Sequence, residues 1–183
     1  LGMGTKDEDF VEQLFVANTH DYLLFFTNKG QVFRKIVFEL PQAGPTGRGK
    51  AVINMLPLRD GESICACLNV PKEAENKYIF LCTEGGVAKK TPMLDCSKIR
   101  VSGLRVITLD EGDSVISVQL TDGVQELFFA TRDGMGLRVN EKTLRPMGRQ
   151  ARGVRGVRLR KGDRVVSALA LSGSGEVLTV TEG

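Results

Sequence analysis

Four stretches of this chain repeat one pattern, and that repetition limits the possible folds more than any other feature. They are Tyr22-Leu-Leu-Phe-Phe-Thr27, Tyr78-Ile-Phe-Leu-Cys-Thr83, Glu126-Leu-Phe-Phe-Ala-Thr131 and Glu176-Val-Leu-Thr-Val-Thr181. Each is a short, nearly continuous apolar run of strand length. The four threonines lie 56, 48 and 50 residues apart. After the first three, a glycine follows at the third position: Gly30, Gly86 and Gly134. Polar residues fill the gap, which predicts a hairpin turn with glycine supplying positive φ. A second short strand then carries bases: Arg34 and Lys35, Lys89 and Lys90, Arg138.

Two more patterns share this register. In the first, a glycine is followed by aliphatic residues at strand spacing: Gly49, Ile53, Met55; Gly103, Ile107, Leu109; Gly153, Val157, Leu159. In the second, a glycine and an acid open a strand: Gly61-Glu62, Gly112-Asp113 and Gly162-Asp163. Phe10, Val11, Leu14 and Phe15 have near-helical spacing, but their repeat equivalents read as strand, so strand is expected there too. Each period holds about four strands and no convincing helix, the mark of propeller blades. The expected fold is all-β, a propeller-like ring with about three four-stranded blades plus part of another. It is one domain over residues 1–183, with approximate repeats 8–60, 61–111, 112–161 and 162–183. The chain opens and closes inside a unit, so it is expected to be a fragment of a larger ring.

Enzyme signatures are scarce. There is no Walker loop, no Gly-x-Ser-x-Gly elbow and no histidine–cysteine cluster. The only histidine, His20, sits in a turn-like stretch before the first repeated run. Cys65 and Cys67 flank Ala66 inside an apolar run, so they share one face of a strand. Without paired Cys-x-x-Cys spacing, the four cysteines read as reduced core thiols, and no metal site is expected. No apolar run reaches the length of a membrane span, and no leader-like segment opens the chain. A soluble, cytoplasmic setting is the matching expectation.

The bases carry more information. The formal net charge is only +3, yet Lys142 to Arg164 holds nine basic residues against one acid, Asp163. Arg34, Lys90 and Arg138 each fall seven positions after their threonine. Arg48, Arg100 and Arg152 recur in the loops near the second glycine. A charge repeated at one place in successive blades lines one rim or face. Taken singly, such residues read as solvated loop charges. Taken together, they read as a track for phosphates, which arginine grips in bidentate fashion. Few aromatic residues lie beside them, which favours duplex backbone over stacked single strands.

Three segments also resemble a known family. Asp7-Glu-Asp-Phe-Val-Glu-Gln-Leu-Phe-Val-Ala-Asn-Thr-His-Asp21 resembles the opening of the C-terminal domain of DNA gyrase A. So do Gly47-Arg-Gly-Lys50 with Val52-Ile-Asn-Met-Leu-Pro-Leu58, and Met147-Gly148 with Arg152-Gly-Val-Arg-Gly-Val-Arg-Leu159. The resemblance implies a β-pinwheel whose blades exchange strands and whose basic rim wraps duplex DNA. It implies a non-catalytic domain of an ATP-dependent type II topoisomerase that introduces negative supercoils. It further implies a heterotetramer with gyrase B in the bacterial cytoplasm, at the nucleoid. No cofactor is expected in this domain, since ATP and Mg2+ bind elsewhere in that enzyme. The family's basic glycine-rich box does not appear in Leu1-Gly-Met-Gly-Thr5. The corresponding domain of topoisomerase IV is therefore the alternative, although residues 7–58 read more like gyrase.

The DNA-binding residues expected on this reading are Arg34, Lys35, Arg48, Lys50, Lys89, Lys90, Arg100, Arg105, Arg138, Arg149, Arg152 and Arg155. Two competing readings make other predictions. A protein-interaction propeller would scatter the repeated bases over both faces. An enzyme would gather charged residues from several blades into a pocket.

Overall fold

A computed structural model describes residues 14, 16–44, 49–71, 74–173 and 176–178 of the chain. Three antiparallel sheets form, and no α-helix occurs among the described residues. The strands are β1 (Tyr22–Thr27), β2 (Gln31–Ile36), β3 (Ile64–Val70), β4 (Tyr78–Thr83), β5 (Val87–Pro92) and β6 (Leu104–Arg105). They continue with β7 (Val115–Thr121), β8 (Glu126–Thr131), β9 (Gly136–Asn140), β10 (Val154–Arg155) and β11 (Val165–Leu171). Sheet orders are β3-β1-β2-β6, β7-β4-β5-β10 and β11-β8-β9. The strand expected at Phe10 and Val11 lies outside the described residues.

The repeated apolar runs form the middle strands β1, β4 and β8. β1 and β4 are continuously apolar because both of their faces are covered, whereas β8 alternates buried and half-buried residues. Along β1, Leu24 and Phe26 pack towards the second sheet with Ile79, Leu81, Val106 and Val118. Leu23 and Phe25 face the other way, onto Phe33 and Leu56. Along β4, Phe80 and Cys82 turn to the third sheet and meet Leu127, Phe129 and Val165. The Phe80 and Phe129 rings meet edge to face at 6.0 Å. Each fully buried side chain of this size contributes about 1.5–3 kcal/mol.

The sheets are blades arranged about a hub. β7 packs against both β3 and β11. Ser117 and Gln119 side chains donate to the Ala168 carbonyl at 2.6 and 3.0 Å across that seam. The opposite sheet edges, formed by β6, β10 and β9, therefore point away from the hub.

The outer strands of the first two blades are borrowed. β6 follows the second hairpin in the chain but pairs with β2 of the first blade. β10 follows the third hairpin but pairs with β5 of the second blade. Every exchange segment thus reaches back one blade and locks onto its hairpin glycine. Val106 N–H donates to the Gly30 carbonyl at 2.9 Å, and Gly156 N–H donates to that of Gly86 at 2.9 Å.

Those glycines adopt the positive φ expected from sequence, +74° at Gly30 and +80° at both Gly86 and Gly134. At Gly86 a Cβ would also come within 2.9 Å of Val157, on the exchange segment, whereas at Gly134 it would meet nothing within 4 Å. This contrast gives a test. Gly134→Ala is expected to cost about 1–2 kcal/mol from backbone strain alone. Gly86→Ala is expected to cost at least about 1 kcal/mol more, because it also pushes on the exchange segment. Equal costs in urea unfolding would show that the segment does not press on the turn.

The glycine–acid pattern has a structural cause that the sequence did not disclose. Thr27, Thr83 and Thr131 are buried, and each hydroxyl accepts the amide four residues on, at 3.1–3.2 Å. Thr27 donates in turn to Glu62 at 2.6 Å. Asp113 accepts the Gly85 and Ser114 amides at 2.8 Å. Asp163 accepts the Asp133 and Arg164 amides at 3.1 and 2.8 Å. The acid before each returning strand therefore pins the neighbouring hairpin turn. Desolvation pushes the Asp163 carboxyl up, but bonds from Thr131 and these two amides, with the Arg132 charge, hold it below the usual carboxylate range.

Candidate nucleic-acid interface

Strand exchange puts one arginine at the same place on successive outer edges. Arg105 ends β6 and pairs in register with Gln31; Arg155 ends β10 and pairs with Val87. Both are exposed, and neither has an ion pair among the described residues. Lys50, Arg100 and Arg149 are likewise exposed without an ion pair among the described residues. Arg152 is exposed and pairs with Asp110. A groove of about 650 Å3 runs between the Gly85-Gly86 turn and the exchange segment, lined by Arg152, Arg155 and Arg158 among others. A second, of about 600 Å3, follows the other side of the same loop beside Lys98 and Arg149.

The position seven residues after each threonine meets three different fates. Arg34 is exposed, lies 4.8 Å over the Tyr22 ring and donates to the Ser97 carbonyl at 3.1 Å. Arg138 is exposed and pairs with Glu126 at 3.2 Å. Lys90 is buried, 5.1 Å from the centre of the Tyr78 ring and 3.7 Å from the Glu141 carboxylate. The third repeat covers it: Met147 N–H donates to the Lys90 carbonyl at 2.8 Å.

Lys89 and Lys90 therefore correct the expectation of two basic contacts on the second blade. Lys89 is 0% exposed, and its ammonium group donates to the carbonyls of Val106 and Arg149, both at 2.6 Å. Neither lysine can reach a ligand on the outer surface. Lys35 is half-buried, and Arg48 lies outside the described residues. Arg158, in the same basic run but not among the contacts expected from sequence, also lines the first groove.

His20 lies in an exposed turn. All four cysteines are free thiols, and burial pushes them up, Cys65 and Cys82 to about 12 and Cys67 and Cys96 to about 11. No group of three or more potential metal ligands occurs among the described residues. No described helix is long and apolar enough to cross a membrane.

These features define a β-propeller whose blades exchange their outer strands and carry arginines on them. The chain belongs to the DNA gyrase C-terminal domain, β-propeller family, whose model matches residues 21–71, 77–122 and 125–172. DNA gyrase A of Escherichia coli K12 is 40% identical over 177 residues, covering 97% of this chain and 20% of that protein. This chain thus spans about a fifth of the length of such relatives and corresponds to part of their C-terminal domain. A solved C-terminal domain of DNA topoisomerase IV aligns with a TM-score of 0.84 at 34% identity, covering 93% of this chain and 53% of that one. A solved DNA gyrase A C-terminal domain aligns with a TM-score of 0.69 at 25% identity, covering 84% and 49%.

Proposed function

We propose that this chain is a non-catalytic DNA-wrapping module of DNA gyrase A. Arg105 and Arg155, at matching places on consecutive outer strands, support this reading most directly. Unpaired cations along a curved edge neutralise phosphates and release counterions, and successive contacts bend the duplex around the ring. Contacts of this kind go to the backbone, so sequence preference is weak and follows deformability. In the whole enzyme the wrap would present one DNA segment to the cleavage core in a fixed crossing sense. Strand passage, driven by ATP and Mg2+ bound outside this chain and assisted by gyrase B, would then introduce negative supercoils. Such an enzyme works on chromosomal DNA in the bacterial cytoplasm.

The test is duplex binding by this chain at several salt concentrations. About four or more neutralised phosphates give a log–log slope of about −4 or steeper between about 50 and 200 mM salt. A slope near zero would rule out the phosphate track. The TM-score of 0.84 favours a second reading, the equivalent domain of topoisomerase IV. Exchange of this chain into each reconstituted enzyme distinguishes the two: a gyrase part supports negative supercoiling of relaxed plasmid, and a topoisomerase IV part supports relaxation and unlinking only.

A further inference from the structure

Lys89 breaks the repeat at a core position. Six residues after the threonine, the first and third repeats carry Phe33 and Leu137, which pack in the apolar clusters. The second repeat carries a lysine there, fully buried among carbonyls. A buried cation is costly unless it is well bonded, so its presence where sister repeats use apolar residues calls for a role.

Its partners supply one. Val106 follows β6, in the exchange segment that locks the first blade. Arg149 belongs to the basic loop from Gly148 to Arg152. Three consecutive carbonyls of that loop are turned inward. Arg149 O accepts from Lys89 at 2.6 Å, Gln150 O from the Thr108 hydroxyl at 2.8 Å, and Ala151 O from the Thr108 amide at 3.4 Å. With the carbonyls held inward, the Arg149 and Arg152 side chains stand exposed at the surface. We propose that Lys89 is a positioning residue for DNA binding: its ammonium group ties the basic loop to the preceding exchange segment and so fixes where Arg149 and Arg152 meet phosphate. This rests on the DNA-wrapping reading. One lysine thereby couples the third repeat's loop to the exchange segment that the second repeat lends to the first blade, and the loop's cations hold a set distance from Arg105.

The geometry is electrostatically coherent. Burial lowers the Lys89 pKa from 10.5 to about 8, opposed by Cys96 and Asp95. Asp95 and Cys96 are the titratable groups that face it, and the Arg149 charge acts on Cys96 in turn. Lys89 binds its proton less tightly in the folded chain than in the unfolded one. Its contribution to stability therefore grows as pH rises from about 8 towards 10.5.

The experiment compares this chain with its Lys89→Met and Thr108→Val variants. Thr108→Val removes a second tie to the loop without touching a buried charge. Lys89→Met is expected to bind duplex about tenfold more weakly, with a log–log salt slope shallower by about 1–2. Amide exchange is expected to speed up at Gly148–Arg152 while β4 and β8 stay protected. The stability of the unaltered chain relative to Lys89→Met is expected to rise from about pH 8 upwards, the opposing effect of the four buried thiols being common to both proteins. Thr108→Val is expected to show a smaller change of the same kind, and it decides the matter if Lys89→Met does not fold. Failure of the unaltered chain to bind duplex would overturn the DNA-wrapping reading and this one with it. Binding by the unaltered chain, with the folded variants matching it in affinity and slope, would overturn the positioning role alone. Exchange that rises equally in every strand would also overturn it, by reducing Lys89 to a general stabiliser.

Discussion

Arg149→Glu, Arg152→Glu and Arg155→Glu combined are expected to lower duplex affinity at least about a hundredfold near 100 mM salt. Each reversal removes an attraction to phosphate and adds a repulsion, at ~1 kcal/mol apiece for charges about 4 Å apart in water. Side-chain mobility and screening reduce the sum, and a hundredfold loss needs only about 2.7 kcal/mol. The salt slope is expected to become shallower by about 3, one unit per lost contact. All three side chains are exposed, so stability is expected to change by less than about 0.5 kcal/mol at Arg149 and Arg155 and by about 1 kcal/mol at Arg152, whose reversal sets a second carboxylate beside Asp110. Anisotropy titrations with a thermal melt of the same sample read both quantities. An unchanged salt slope in a folded triple variant would move the interface away from this loop.

The strands were legible because their burial is two-sided. Runs such as Leu23–Phe26 and Ile79–Cys82 have apolar neighbours on both faces, so no polar alternation blurs them. The turns were legible because only glycine suits a φ near +80° at Gly86 and Gly134. The ownership of strands was not visible in the pattern itself. Gly103-x3-Ile107 reads as strand, but which blade it joins depends on contacts more than seventy residues away from β2's start at Gln31. The resemblance, not the periodicity, carried that expectation.

Among the site residues, Arg105 and Arg155 were named from the sequence, but their matching place on exchanged strands was not visible in it. Lys89 and Lys90 were not, since a sequence shows a charge without the loop that covers it. A faint signal did exist. Both lie between Ala88 and Thr91 in β5, and at the Lys89 position the sister strands carry Phe33 and Leu137. Position within the repeat would have marked Lys89 as a replacement for Phe33 and Leu137. The acids Glu62, Asp113 and Asp163 were seen as a motif without a purpose, because their partners, the Thr27 hydroxyl for Glu62 and mainly turn amides for Asp113 and Asp163, lie about thirty residues away or carry no side-chain signature.

The Lys90–Glu141 pair is where covering a repeated base has the largest expected energetic consequence. Glu141 is 0% exposed; its carboxylate accepts the Thr121 hydroxyl at 2.6 Å and the Gln125 amide at 3.2 Å. Its backbone carbonyl accepts from Lys90 at 3.1 Å. Ten residues after their threonines the sister repeats carry Val37 and Met93, so the third repeat has placed an acid where apolar residues serve elsewhere. The pair joins the second blade to the segment leading into the basic loop. Glu141→Gln preserves volume but strands the Lys90 charge, and is expected to cost about 3–5 kcal/mol. In a chain of this length that lowers Tm by about 6–20 °C. Lys90→Met strands the carboxylate and is expected to cost a similar amount. Lys90→Met with Glu141→Leu removes both charges, so the double variant is expected to be more stable than the sum of the singles predicts, by about 2 kcal/mol or more. Urea unfolding of the four proteins closes the cycle. Additive costs would mean that the two side chains are neighbours without being a pair, and that the blades are joined by apolar packing alone.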